Sequence, residues 1–190
     1  MKKILSSCVI AAAFVALPAS AQWYVGVGVG SSKLSGANGT DSTATTYSGG
    51  DASKSSFKVY GGYQLTPTWG VEAQYTDLGS RNITATQGGI VVGSGNLKAS
   101  QYSLAAVGTL PLASNFAVIG KLGVSRNTLS GLISQHKSDL LVGVGVSYAI
   151  NSKLAVRLEY EDFGKLSSNG GANGGSIRAN NLSLNLQYAF

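Results

Sequence analysis

Apolar side chains alternate with small or polar ones, at a period of two residues, through most of this 190-residue sequence. Successive side chains of a β-strand point to opposite sides, so each such segment has one apolar face and one polar face. No segment carries an apolar stripe of helical period that is long enough to predict a helix. The alternation therefore predicts an all-β protein.

Eight segments show the alternation, and short turns and long polar loops join them in turn. The segments are 22–32, 55–65, 69–79, 99–110, 116–126, 138–150, 154–164 and 179–190. The short turns are 66–68, 111–115 and 151–153, and the long loops are 33–54, 80–98, 127–137 and 165–178. This order predicts an eight-stranded antiparallel up-and-down barrel.

The apolar faces of the eight segments contain no charged residue. A soluble barrel would turn these faces inward, but an apolar surface of this extent is also what lipid requires on the outside of a barrel. A closed barrel satisfies every backbone hydrogen bond within a membrane, and about 9–11 tilted residues cross the bilayer. We therefore predict a transmembrane barrel with its polar faces in the lumen.

The first 21 residues have the pattern of a secretory signal peptide. Lys2 and Lys3 precede an apolar run, and Ala19 and Ala21 form a small-residue cleavage site. We expect cleavage there, which leaves 22–190 as the barrel domain. The one cysteine, Cys8, lies in the signal peptide, so no disulfide is expected in the mature chain.

Aromatic side chains are concentrated at both ends of the predicted strands. At the short-turn ends lie Trp23, Tyr63, Trp69, Phe116, Tyr148, Tyr188 and Phe190, and near the long loops lie Phe57, Tyr75, Tyr102 and Tyr160. Two such belts mark the two membrane interfaces of a bacterial outer-membrane barrel, in which the short turns face the periplasm. We therefore expect the outer membrane of a Gram-negative cell, with both termini in the periplasm.

The glycines of WYVGVGVGSSK, residues 23–33, do not predict a nucleotide site. Ser31 follows the third glycine and no helical segment comes after it, whereas a dinucleotide fingerprint needs a further glycine and a helix. An eight-stranded barrel has an interior only just wide enough for side chains. Gly26, Gly28, Gly30, Gly143 and Gly145 are therefore predicted to make room for larger neighbours in the lumen.

Three stretches resemble a known family. FKVYGGYQLTPTWGVEAQYTDLG at 57–79 resembles the second and third strands of the outer membrane protein A transmembrane domain and its small relatives, and LAVRLEYEDFG at 154–164 resembles their seventh strand. The final residues, with Tyr188 and Phe190, resemble the signal read by the outer-membrane assembly machinery, which implies that machinery and periplasmic chaperones as partners. A peptidoglycan-binding domain, present in larger members, is not found, so cell-wall tethering is not expected.

Charged residues on the polar faces are predicted to lie in the lumen. They are Lys58, Glu72, Lys121, Arg157 and Glu159. Isolated buried charges are costly, so these residues are expected to pair, and the last four are expected at similar depth. The resemblance implies such a cluster, which is argued in the family to act as a gate by exchanging partners. A polar plug is the preferred interpretation here, and a gated, low-conductance diffusion pore is the alternative.

Basic residues stand at the eight strand ends next to the long loops. They are Lys33, Lys54, Arg81, Lys98, Arg126, Lys137, Lys165 and Arg178. A ring of cations at that height would meet the phosphates of lipopolysaccharide, although ordinary snorkelling at an interface explains the same pattern. Because the ring encircles a membrane barrel, nucleic acid is not expected as a partner.

The sequence does not predict an enzyme. His136 and Ser138 resemble the His-x-Ser pair of lipid A deacylases, but Ile150 stands where their orienting carboxylate is expected. A lone histidine cannot fill a metal coordination shell, so neither metal nor cofactor is expected.

The predicted role is structural and interactive. We expect a monomer that contacts outer-membrane lipid and lipopolysaccharide and presents its loops to a host or other cell-surface ligand. GGIVVG at 88–93 is the apolar patch among the loops. It is either a contact site or, as the preferred interpretation, the end of a hairpin that extends two strands beyond the membrane.

Overall fold

The computed structural model describes residues 22–35, 39–40, 45–48, 53–113, 115–130, 135–167 and 177–190. The predicted signal peptide lies outside these residues, as do parts of three predicted long loops. The described part of the chain contains no helix with the length and apolar character needed to cross a bilayer. All the regular secondary structure of the described residues is β-strand.

Ten strands are described. They are β1 (Gln22–Ser35), β2 (Gly39–Thr40), β3 (Thr45–Ser48), β4 (Lys54–Gln64), β5 (Trp69–Gln87), β6 (Ile90–Pro111), β7 (Phe116–Ser130), β8 (Gln135–Ala149), β9 (Leu154–Ser167) and β10 (Ile177–Ala189). The sheet runs β5-β4-β1-β10-β9-β8-β7-β6, and β6 pairs with β5. The eight long strands therefore close into an antiparallel barrel, which confirms the predicted fold class.

Most of the predicted loop 80–98 belongs to strands, so an irregular loop there is wrong, and the preferred interpretation of 88–93 as the end of a hairpin that extends two strands is confirmed. β5 and β6 continue as a ladder up to the pair formed by Gln87 and Ile90, and Gly88 and Gly89 make the turn with positive φ. β3 pairs with this extension at Thr84–Gln87 rather than with the barrel wall. Threonine, isoleucine and valine favour strands, so the segment forms a hairpin although it is polar overall.

Short turns at one end are fixed by side chains that bond to the backbone. Asn151 Oδ1 accepts from the N–H groups of Lys153 and Leu154, both at 2.8 Å. Thr66 Oγ1 accepts from Trp69 N at 3.0 Å. Such Asx and Thr turns let antiparallel strands reverse within a few residues. We call this the short-turn end and the opposite end the long-loop end.

The two faces of the wall differ as the alternation predicted. Large apolar side chains on the outer face are exposed on every long strand, from Val25 on β1 to Leu186 on β10. Polar and charged side chains fill the lumen, where Lys58, Thr76 and Asn185 are buried. Ring pairs mark the ends of the wall, with Phe116 and Tyr148 4.8 Å apart between centroids at the short-turn end.

The lumen glycines lie where the neighbouring side chains are large. A Cβ atom at Gly26 would overlap the Tyr60 ring, and one at Gly62 would overlap the Tyr24 ring. At Gly145, the Cβ position lies 3.0 Å from the Glu159 side chain. The prediction that these glycines make room in a narrow interior is confirmed.

Candidate functional site

The middle of the lumen holds six charged side chains, which we call the charge cluster. They are Lys58, Glu72, Lys121, Arg157, Glu159 and Glu161. Each is at most 3% exposed. Three cations face three carboxylates, so the formal charge of the cluster is zero.

Lys121 lies at the centre of the charge cluster. Its Nζ is 2.5 Å from Glu72 Oε1, 2.9 Å from Glu159 Oε2 and 3.1 Å from Glu161 Oε1. One ammonium group therefore joins carboxylates from two strands, β5 and β9. The three carboxylate oxygens match the three donors of the ammonium group, and Gln74 Oε1 is a more distant fourth acceptor at 3.4 Å.

The two other cations join the same carboxylates. Lys58 Nζ contacts Glu159 and lies 3.0 Å from Glu161 Oε2. Arg157 Nη1 lies 3.0 Å from Glu72 Oε2, and its Nη2 lies 2.5 Å from Glu159 Oε1. Every carboxylate contacts at least two cations, so the cluster is one connected network and not a set of separate pairs.

Aromatic rings pack against the charge cluster from the wall. The Tyr60 ring centroid lies 5.0 Å from the Arg157 guanidinium carbon and 5.5 Å from Lys58 Nζ, within cation–π range. Tyr24 Oη lies 3.1 Å from Glu72 Oε2. These two rings occupy the space that Gly26 and Gly62 leave open.

Five of the six cluster members were predicted from the sequence, and Glu161 was not. The signal was available, because Glu161 follows Glu159 by two residues and therefore shares its face. Without Glu161 the five residues would carry one excess positive charge. Neutrality of the lumen would have pointed to the missing carboxylate.

Toward the long-loop end, an apolar layer lies above the charge cluster, and we call it the apolar cap. It consists of Leu78, Ala99, Leu141, Phe163 and Ala179, which form one buried cluster with the deeper Ala105. Leu78, Leu141 and Phe163 are fully buried. The cap was not predicted from the sequence, because the inward faces were expected to be polar.

Toward the short-turn end, the lumen opens into a cavity of about 250 Å³, which we call the vestibule. Val107, Ile119 and Ser147 are among its walls, and Tyr24 and Arg157 line it where it meets the charge cluster. The vestibule therefore ends at the charge cluster. Cluster and cap occupy the lumen above it.

The predicted basic residues do not share one orientation. Lys33, Lys98, Arg126, Lys165 and Arg178 have the register of the outer face, whereas Lys54 pairs with Ser32 and Lys137 pairs with Asn127, both on the inner face. Arg81 lies on the extended part of β5. Lys98 and Arg126 stand within β6 and β7 rather than at their ends, because both strands are longer than predicted.

Three of the outward basic residues come from adjacent strands. Arg178 on β10 pairs with Lys165 on β9 and with Ser35 on β1, two residues from Lys33. The barrel thus brings together residues that are far apart in sequence. We call Lys33, Lys165 and Arg178 the basic triad.

Arg126 stands over a separate groove in the outer wall. The groove has a volume of about 310 Å³ and is lined by Tyr102, Leu104, Val124, Arg126 and Ser138, among others. A guanidinium group thus lies at the long-loop end of an apolar surface. This order of groups matches a lipid, with its charged head at the interface and its chains below.

His136 lies at the start of β8 and is exposed. Its Nδ1 is 3.1 Å from the hydroxyl of Thr128 on the neighbouring strand. Among the described residues, no carboxylate bonds to the imidazole ring.

Tyr188 and Phe190, the predicted assembly signal, stack edge to face on the outer surface with centroids 5.4 Å apart. The backbone N–H of Phe190 donates to Trp23 O at 3.1 Å, which ties the end of the chain to β1. Both aromatic rings lie in the belt at the short-turn end.

Comparison with known proteins gives a consistent picture of the fold. The family model described as the outer membrane protein beta-barrel domain matches residues 4–190. No curated protein is significantly similar in sequence.

Solved structures of small outer-membrane barrels superpose on this chain over most of its length. OprG from Pseudomonas aeruginosa is 13% identical, with 89% of this chain and 96% of OprG covered and a TM-score of 0.62. Neisserial surface protein A is 19% identical, with 88% and 97% covered and a TM-score of 0.59. Ail of Yersinia pestis, solved with the heparin analogue sucrose octasulfate, is 15% identical, with 90% and 99% covered and a TM-score of 0.57.

Proposed function

Because the chain belongs to the outer membrane protein β-barrel family, we propose that it is a non-catalytic structural barrel of the outer membrane with a closed lumen. In this proposal the short turns and both termini face the periplasm. The basic residues hold lipopolysaccharide at the outer leaflet, and the long loops contact other surfaces. The signal peptide is removed before Gln22.

The filled lumen is the observation that carries the proposal. The charge cluster spans the interior with six buried side chains, and the apolar cap fills the next layer with Leu78, Leu141 and Phe163. A diffusion pore needs a continuous hydrated path. The vestibule supplies such a path only as far as Arg157.

Planar-bilayer recording of the refolded chain 22–190 tests the closed lumen. A mobility shift on boiling, seen on a gel, first verifies that the barrel has folded. We expect no steady openings from the folded protein. Steady sub-nanosiemens openings would contradict the closed structural barrel and favour the diffusion pore.

The basic triad and Arg126 support contact with lipopolysaccharide. Lys33, Lys165 and Arg178 are adjacent on the outward face, so a single phosphate group can meet more than one cation. Bonds between cations and phosphate are charge-assisted and stronger than neutral ones. Arg126 adds a second cation above the apolar groove.

Thermal unfolding in vesicles with and without lipopolysaccharide tests this contact. We expect lipopolysaccharide to raise the unfolding midpoint of the wild type. This shift should be mostly lost in the variant in which Lys33, Lys165 and Arg178 are all replaced by alanine. Lys153→Ala is the control, because Lys153 lies at the short-turn end, over the Tyr188 ring. A triple variant that keeps the full shift would contradict the contact.

The hairpin tip supports a second part of the role, contact with an external surface. Ile90, Val91 and Val92 are 72%, 62% and 56% exposed. No charged residue occurs from 82 to 97, so the surface around these side chains is uncharged. At about 3.3 Å per residue, the ten or so residues of β5 beyond the wall project the tip roughly 30 Å. An apolar patch held this far out is typical of a contact surface.

Replacement of Ile90, Val91 and Val92 by serine tests the tip. We expect adhesion of cells that display the variant to fall below that of the wild type. Replacement of Ser94 and Thr86 by alanine, on the same hairpin, is the control and should leave adhesion unchanged. Equal adhesion of all three proteins would remove the tip from the proposed function.

A further inference from the structure

The apolar cap lies directly above the charge cluster, on the side of the long-loop end. Phe163 follows Glu161 of the cluster by two residues on β9, and Leu78 follows Thr76, the register partner of Lys58, by two residues on β5. At about 3.3 Å per residue and the usual strand tilt, this step is roughly 5 Å along the axis. The cap is therefore a second layer, nearer the long-loop end, and not part of the ion-pair network.

A β-bulge adjoins each of the two large cap residues, Leu78 and Phe163, which the alternation of their strands directs into the lumen. Asp77 and Ser80 pair with Ser100 and Lys98, so three steps on β5 oppose two on β6. Asp162 and Lys165 pair with Asn180 and Arg178 in the same way. Each bulge contains a glycine with positive φ, Gly79 or Gly164, whose N–H donates to the preceding aspartate at 2.8 Å.

The same support occurs twice in the sequence, half a barrel apart. WGVEAQYTDLG at 69–79 and LAVRLEYEDFG at 154–164 are identical at four of eleven positions, including the Asp and Gly of each bulge. Ser32 Oγ donates to Leu78 O at 2.7 Å, and Ser125 Oγ donates to Phe163 O at 3.1 Å. Two opposite strands thus hold one apolar residue each over the lumen in the same manner.

A filled apolar layer blocks ions by a different mechanism from an ion-pair network. Hydrophobic constrictions exclude water, and an ion that enters one loses its hydration without compensation. Exchange of partners among Lys58, Glu72 and Arg157 would leave Leu78, Leu141 and Phe163 in place. A change of ion-pair partners in the charge cluster therefore does not open this layer.

We propose that the apolar cap is the barrier that closes the lumen toward the long-loop end, independently of the charge cluster. This inference rests on the proposed closed barrel and names the layer that closes it. Rearrangement of the ion pairs is then insufficient to open a path, and displacement of the cap side chains, such as Leu78 and Phe163, is required.

Labelling of a buried thiol tests the barrier. Gln101 is fully buried in the lumen two residues below Ala99 of the cap, on the side of the short-turn end, and between its register partners Thr76 and Asn127. Gln101→Cys provides the only cysteine in the chain 22–190. We expect a small charged thiol reagent to label this cysteine at least about tenfold faster when Leu78→Ser and Phe163→Ser are added, because two of the apolar side chains that exclude the charged reagent are then replaced by polar ones.

A matched pair of substitutions controls for general loosening. Val107 and Ile119 are buried apolar residues of the vestibule, below the charge cluster. Val107→Ser with Ile119→Ser should leave the labelling rate at Gln101→Cys unchanged. Boiling-dependent gel mobility verifies folding of every variant, and Leu141→Ser replaces any cap variant that does not fold. A cap variant that labels at the wild-type rate, or a control that accelerates equally, overturns the inference.

Conductance separates this inference from the proposed function. We expect Glu72→Ala to remain silent in planar bilayers, because the cap stays closed above the disrupted ion pairs. Openings of Glu72→Ala with a silent wild type would overturn the cap as the barrier and leave the closed barrel standing. Openings of the wild type would overturn the proposed closed barrel itself.

Discussion

At the scale of single residues, the lumen depends on side-chain volume and on charge balance. Tyr24 and Tyr60 fit only because Gly62 and Gly26 lack side chains. Lys121 is tolerated in the interior only because three carboxylates surround it. Both conditions concern partners on other strands, so both make sharp predictions about substitution.

Gly26→Ala should destabilise the barrel by about 1–3 kcal/mol, the usual cost of overpacking. The new methyl group would overlap the Tyr60 ring. Gly120→Ala is the matched control on the outer face, where no atom lies within 4 Å of the Cβ position. Urea unfolding in lipid vesicles measures both, and equal stabilities would show that the Tyr60 ring moves without cost.

Lys121→Met should destabilise the barrel by about 3–5 kcal/mol, because it leaves buried carboxylates without their shared cation. Adding Glu161→Gln restores neutrality and should recover part of the loss. Lys98→Met, on the exposed outer face, should change stability by less than about 0.5 kcal/mol. The same unfolding assay applies, and a double variant weaker than Lys121→Met would contradict the neutrality argument.

At the scale of strands, the two bulges end the regular alternation next to the apolar cap. Leu78 and Phe163 face the lumen by alternation alone, and each bulge then adds one residue and bends the strand. Gly164 is confined further, since Asp139 from β8 lies against it. The ladder between β8 and β9 ends at Val142 and Asp162, and Asp139 then accepts from Lys165 N at 2.7 Å in place of a ladder bond.

Gly164→Ala should destabilise the barrel more than Gly88→Ala does. Both positions have positive φ, which costs alanine about 1–2 kcal/mol. At Gly164 the Cβ position also lies 2.6 Å from Asp139 Cγ, whereas at Gly88 nothing lies within 4 Å. Unfolding in urea measures the difference, and equal effects would mean that Asp139 yields freely.

Asp139 should make the stability of the bulge depend on pH. It lies beyond Leu140, the last apolar residue on the outward face of β8 toward the long-loop end, and so outside the membrane span. The backbone bond from Lys165 lowers the pKa of Asp139 below its ordinary value of 3.8. Its stabilising effect is therefore present above that value and lost as pH falls through the folded-state pKa. The stability difference between wild type and Asp139→Asn should be present at neutral pH and vanish in strong acid.

At the scale of the whole molecule, the outer wall has the distribution of apolar groups that a bilayer requires. Val144 and Leu140 lie on the same outward face of β8 and are exposed to similar extents. They differ in depth, because Leu140 stands four residues nearer the long-loop end. A charged substitution should therefore have different costs at the two positions in a bilayer, and similar costs in water.

Val144→Arg should destabilise the barrel in lipid by about 2–4 kcal/mol, and Leu140→Arg by about 0–1 kcal/mol. Unfolding in lipid vesicles measures both variants. If both variants changed the free energy of unfolding by the same small amount, the outer wall at Val144 would not lie within a bilayer.

The sequence by itself determined the strand count, the alternation of faces and the lumen position of the charged residues. These features follow from a period of two residues, which is local and visible along the chain. It did not determine the strand lengths, since β-structure can continue into a polar segment such as 82–97 when the partner strand does the same.

Only the tertiary structure decided which residues meet across the lumen. Glu161 completes a neutral network, the basic triad gathers Lys33 with residues of β9 and β10, and Leu78, Leu141 and Phe163 from three strands pack into one layer. Contact across a closed barrel depends on the stagger of all eight strands. A single strand does not show this stagger, so the apolar cap is recognised as one layer only when the barrel is closed.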